Sequence, residues 1–113
     1  MKTYAAILCA LALPGCVMQS TYSQIMAKPP VQAFDTTRSV DEFLGCISPK
    51  IATVWPRVNT IQDGDASVLT VVGAQVLVTV RVSQTSTGAH VEVRQIYDGR
   101  GYQRASEAAL ACR

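Results

Sequence analysis

Residues 75–83 place Val76, Val78, Val80 and Val82 on one side of an extended chain and Gln75, Leu77, Thr79, Arg81 and Ser83 on the other. An apolar-polar period of two is the signature of a half-buried strand, and no helix satisfies it. A strand of this kind needs neighbours. Thr85-Ser86-Thr87-Gly88 predicts a turn, and residues 90–97 return with Val91 and Val93 inward. Centring that turn between Ser86 and Thr87 pairs Val82 with Val91 and Val80 with Val93. It also puts Arg81 opposite Glu92, a cross-strand charge pair that favours the register. On the other side, a turn at Gly73-Ala74 sets Val71 against Val76 and Leu69 against Val78. Asp63-Gly64 is a hairpin signal between 58–62 and 66–72. Both flanking turns assign the same buried face, which predicts a four-stranded antiparallel meander.

A helix is expected on each side of it. Ser39-Val40-Asp41-Glu42 has the form of a capping box, with acidic residues at the positive end of the helix dipole. Val40, Phe43, Leu44 and Ile47 then fall on one face at i, i+3, i+4 and i+7, and Pro49 is expected to stop the helix soon after Cys46. After Asp98-Gly99-Arg100-Gly101, a second helix starts near Tyr102, with Tyr102, Ala105, Ala109 and Cys112 on one face. The fold class is α+β: N-terminal helix, four-stranded meander, C-terminal helix. Trp55, the single tryptophan, is expected to plug the core beneath the sheet.

The N-terminus reads as a targeting segment. Met1-Lys2-Thr3 is a short positive start, and residues 4–13 form an apolar stretch of signal-peptide length. Leu13-Pro14-Gly15-Cys16 follows the pattern of a lipoprotein signal, aliphatic at −3, small at −1 and cysteine at +1, although Pro14 departs from the usual small or β-branched residue. The alternative is ordinary secretion, with cleavage after Ala10-Leu11-Ala12. The four cysteines favour lipidation of Cys16. Cys9 leaves with the signal peptide and Cys16 carries the lipid, so Cys46 and Cys112 remain as an even pair in an oxidising compartment. Their bridge closes a 66-residue loop, for which chain entropy gives roughly 4 kcal/mol. The domain boundaries follow: 1–15 signal peptide, 16–37 tether, 38–113 folded domain. The tether carries Pro29-Pro30 and no sustained period, although an edge strand near 31–34 is an open alternative. As a flexible chain of some 20 residues it spans about 25 Å, or about 70 Å fully extended.

Charge excludes some functions. Without Lys2 the chain has nine basic against eight acidic side chains, and no basic stripe suited to nucleic acid. Outside the N-terminus no apolar run reaches membrane-spanning length. His90 is the only histidine. A serine–histidine–acid grouping of Ser83, His90 and Glu92 can be drawn on the outer sheet face, without a strained turn or an oxyanion hole to support it. One histidine and two cysteines committed to a bridge leave no metal site, and no cofactor is expected. Arg81, His90, Glu92 and Arg94 form the candidate binding face, which alternation predicts to be solvated.

In its layout the whole chain resembles the small envelope lipoproteins of proteobacteria and their prophages. Five features carry the resemblance: Leu13–Cys16, a polar tether, Cys46 in the first helix, a Gly-punctuated meander and Cys112 almost at the C-terminus. A lipid anchor without a convergent polar site points to a binding or assembly module. It would be anchored by lipid on Cys16, with Val17 favouring the outer membrane facing the periplasm, and its partner would be another envelope protein. The resemblance leaves a prophage surface-exclusion or lysis accessory as an alternative, and His90 by itself leaves a small periplasmic hydrolase.

Overall fold

The computed structural model describes residues 21–113. A helical segment over residues 21–26 leads into β1 (Gln32–Thr36), α1 (Val40–Ala52), β2 (Val58–Asp63), β3 (Ala66–Val72), β4 (Val76–Gln84), β5 (Ala89–Gln95) and α2 (Gln103–Ala111). The strands form one antiparallel sheet in the order β1-β5-β4-β3-β2. The α+β class holds, with five strands rather than four. The added strand, β1, comes from the tether, pairing Phe34 with Val91 and Thr36 with Ala89. Its signal is faint because only Phe34 and Thr36 are buried in a five-residue run. What fixes it is tertiary: the open side of β5 offers unpaired backbone groups, and Val31 already donates to the Val93 carbonyl at 2.8 Å. Signal peptide and Cys16 lie outside the described residues, as does the tether before residue 21. From residue 21 onward the expected tether is packed: Ile25 and Phe34 are buried in the domain.

The β4–β5 register is as the charge and valine pairing predicts, with Val82↔Val91, Arg81↔Glu92 and Val80↔Val93. The β3–β4 register differs by two residues, Leu69 facing Val80 and Val71 facing Val78. A bulge between Val71 and Val72 lengthens this turn, in which the Gly73 amide donates to the Gln75 carbonyl. A slip of two leaves every side chain on its original face, so the core survives the misplacement. The exceptions are Leu77, which packs against the core, and Val76. The bulge turns Val76 out of the core, to line a groove beside Tyr22. The first hairpin turns on Gly64-Asp65, one residue later than the Asp63-Gly64 signal, with Gly64 at φ 61°. Positive φ at the first turn residue alone is the II′ pattern, which needs glycine there.

One sheet face packs on both helices. Leu69, Val71, Val78, Val80, Val82, Val91 and Val93 meet Phe43, Ile47 and Ile51 of α1 and Ala105 and Ala109 of α2. The two alanines let α2 approach closely, and the Phe34 and Phe43 rings meet edge-on, 6.0 Å between centroids. Cys46 and Cys112 form the disulfide, their Cα atoms 5.8 Å apart. Ser39 caps α1 by accepting from the Glu42 amide at 3.2 Å. Pro49 does not end α1. The helix continues to Ala52 because its last turn carries Ile51, which is fully buried, and that burial offsets the amide lost at proline. Cys46 therefore sits inside α1 rather than at its end. Trp55 is half-buried at the rim of the core, beside Tyr102 and Arg104, and is not a plug beneath the sheet. Gly88 is required where β1 passes the β4–β5 turn: a Cβ there would stand 2.1 Å from the Thr36 carbonyl oxygen, at φ 156°.

Candidate functional site

Alternation places Arg81 on β4 and His90, Glu92 and Arg94 on β5 together on the sheet face opposite α1 and α2, and the register brings them together there. The face is not solvated as expected. Residues 21–31 cross it. Ile25 is fully buried against it, Thr79 Oγ1 donates to Met26 Sδ at 3.6 Å, and Tyr22 donates to Asp63 Oδ2 at 2.8 Å. Lys28 ties the segment to the end of β5, its Nζ donating to the Ile96 carbonyl while its own carbonyl accepts from Arg94 Nε, both at 2.8 Å. The side chains of Arg94 and Glu92 are only 11% and 21% exposed and pair with each other at 3.4 Å. Glu92 lies opposite Arg81 in the ladder but bonds its strand neighbour Arg94. Arg81 Nε and Arg94 Nη1 are buried without hydrogen-bond partners among the described residues.

Tyr22 shows the electrostatics of this face. Burial first, then the hydrogen bond to Asp63 and that carboxylate's charge, push its hydroxyl up to about 12 against the opposing pull of Arg81 and Arg94. The neutral hydroxyl is the form that donates to Asp63.

His90 stands at the open end of the face. Its Nδ1 lies 2.7 Å from Asp35 Oδ1 on β1, and Ser83 is its ladder partner on β4. Serine, histidine and acid thus form a row across three strands, with Asp35 in the place expected for Glu92. Asp35 lies just past the edge strand that the sequence leaves open near 31–34, and the pairing Asp35↔His90 exists only once β1 joins β5. The row orients the imidazole. Catalysis asks for more: no hydrogen bond joins Ser83 to His90 among the described residues, and β4 and β5 are inner strands whose backbone amides pair with their neighbours instead of forming an oxyanion hole. No group of three or more His, Cys, Asp or Glu side chains among the described residues is arranged to hold a metal ion. A polar cleft at the start of α1, lined by Ser39, Asp41, Glu42, Asp65 and Thr85, is acidic.

What the outer face does leave open is its margin. Between residues 21–26 and the edge strand runs a mainly apolar groove lined by Tyr22, Asn59, Ile61, Thr70, Val72 and Val76. Ile61 is 40% exposed there. Beside it β2 is an outer strand of the sheet, exposed from Asn59 to Asp63. No helix among the described residues is long and apolar enough to cross a membrane. The chain matches no protein-family model, no curated protein and no solved structure.

Proposed function

We propose that the protein is a lipid-anchored envelope module that binds a protein partner by adding a strand to β2, a binding part rather than a catalytic one. The observation that carries this reading is the coverage of the sheet. One face packs on α1 and α2 and the other lies under residues 21–31, so the sheet offers a partner its two edge strands, β1 and β2, and of these β2 has the apolar groove at Ile61 beside it. Edge addition uses main-chain hydrogen bonds for affinity and adjoining pockets for selectivity.

Anchoring by lipid on Cys16 gains a geometric meaning from the packed segment. Only five residue steps separate Cys16 from Thr21, at most about 17 Å of chain. Residues 21–26 lie on the outer face, so the domain is held close to its membrane with that face turned toward it and α1 and α2 turned away. The membrane is the outer membrane, facing the periplasm. Photocrosslinking in intact cells, with the reactive group placed at Ile61 or at Leu110 on α2, tests the binding edge. Adducts at 61 and none at 110 are expected; no adduct at 61 overturns the reading. Palmitate labelling of the same cells tests the anchor: the label is expected on the wild-type chain and absent from Cys16→Ser. An unlabelled wild type overturns it.

A further inference from the structure

The hydrogen bonds of β2 determine which of its groups are free. Val72 donates to the Arg57 carbonyl at 3.0 Å, and the pairing continues in register from Val58↔Val71 to Asp63↔Ala66 without a break. In an antiparallel ladder alternate residues bond to the neighbour, so Arg57, Asn59, Ile61 and Asp63 face β3, while Val58, Thr60 and Gln62 direct N–H and C=O out of the sheet. Nothing in β2 blocks that edge. Its residues Val-Asn-Thr-Ile-Gln-Asp include no lysine, no proline and no bulge, the devices by which edges are usually closed.

We infer that the strand added to β2 is the β2 of a second copy of this chain, antiparallel about a two-fold axis through Thr60. This register uses every outward-facing group: Val58 pairs with the second copy's Gln62, Thr60 with its own counterpart, and Gln62 with Val58. The same register lays Arg57 opposite the second copy's Asp63, twice. Arg57 and Asp63 end the strand with opposite charges, and neither forms an ion pair within the described residues. Self-complementary charge at equal distances from Thr60 is what an isologous interface requires, since each patch must match itself. Opposite charges directly across a strand pair favour the register.

The dyad runs perpendicular to the sheet, so the pair makes one ten-stranded sheet with equivalent faces on the same side. Both segments 21–26, and hence both routes to Cys16, then face the same way. Two lipid anchors can enter one bilayer without bending either domain. The apolar grooves at Tyr22, Ile61 and Val72 run into one another across the axis, which adds side-chain burial to the backbone bonds.

The inference rests on β2 being the binding edge, and one experiment separates the two. A photocrosslinker at Thr60 in the full chain, in intact cells, is expected to yield an adduct of twice the chain mass. An adduct of another mass keeps β2 as the binding edge and overturns the second copy; no adduct overturns both. The register is read in the purified full chain. Thr60→Cys is expected to oxidise to a covalent dimer, because partners in a hydrogen-bonded pair have Cα atoms about 5.5 Å apart. Asn59→Cys, which faces Ile61 and not itself, is expected to give at least tenfold less. Equal yields overturn the dyad at Thr60. Thr60→Pro removes an outward N–H and no bond to β3, so it is expected to abolish the dimer in sedimentation with the melting temperature unchanged. Arg57→Asp is expected to weaken dimerisation at least tenfold. A dimer that survives both substitutions overturns the inference.

Discussion

On one face of the sheet Phe43, Ile47 and Ile51 of α1 meet a field of valines and a disulfide fixes α1 to α2; on the other, Ile25 is the one fully buried large aliphatic of a short segment lying over arginine, glutamate and threonine. Both faces are covered, and the coverage differs in kind. The first is dry and close-packed. Its contribution scales with apolar area removed from water. The second is held by a few named polar contacts, Tyr22 to Asp63, Lys28 to Ile96 and Arg94 to Lys28, and two guanidinium nitrogens beneath it lack partners among the described residues. Buried polar groups without partners cost free energy, so this cover is the weaker of the two. A fold of this size can thus keep one face as its core and use the other to hold a leading segment against it.

The largest expected effect tests the stapled face. Replacing Cys46 and Cys112 together by alanine should lower stability by roughly 4 kcal/mol, because the bridge closes a long loop; urea denaturation measures this, and a loss under about 1 kcal/mol would show that packing alone holds α1 to α2. Next comes Ile25→Ala. About 2 kcal/mol is expected, at the low end for a buried isoleucine, because residues 21–31 can detach while the core remains. Hydrogen exchange should show that loss confined to residues 21–31 and the Val76 amide, which donates to Thr21 Oγ1. If instead the whole domain loses protection equally, the two faces form one cooperative unit.

Tyr22→Phe is expected to cost about 1 kcal/mol, the net worth of its bond to Asp63. The tyrosine also carries a pH signature. Its folded value, raised to about 12, lies above the value of 10.0 for a free tyrosine. The stabilisation is complete below pH 10 and is lost as pH rises toward 12, since the unfolded chain releases the proton first. A spectrophotometric titration should show one tyrosine ionising near pH 12, and Tyr22→Phe should remove that step together with the alkaline loss of stability. The smallest effect is expected at His90. Its pair with Asp35 is exposed, and His90→Gln should change stability by less than about 1 kcal/mol. A larger loss would mean that β1 depends on this contact rather than on its ladder with β5.

Much of this was legible in the residues, for a reason that can be stated. The valine alternation in β4 and β5 fixed the buried face, and period two makes that face insensitive to a slip of two, so the bulge at Val71/Val72 moved the β3–β4 register without moving the core. Ser39, Phe43 and Ile47 marked α1, and the small residues of α2 together with the cysteine count marked the bridge. The local signals failed where a neighbour outweighed them. Pro49 is a helix breaker overruled by the burial of Ile51. β1 is a five-residue strand with too short a signal to stand alone, drawn into the sheet by the unpaired side of β5.

The candidate site follows the same division. Alternation alone determined that Arg81, His90, Glu92 and Arg94 share a face, because side-chain direction along a strand is a local property. Only the tertiary structure decided that this face is covered, that Asp35 and not Glu92 stands beside His90, and that β2 is left as an open edge. Coverage, partners and edges depend on which distant segments dock. The docking of residues 21–31 rests on one buried isoleucine and a handful of polar contacts with no periodicity to announce them.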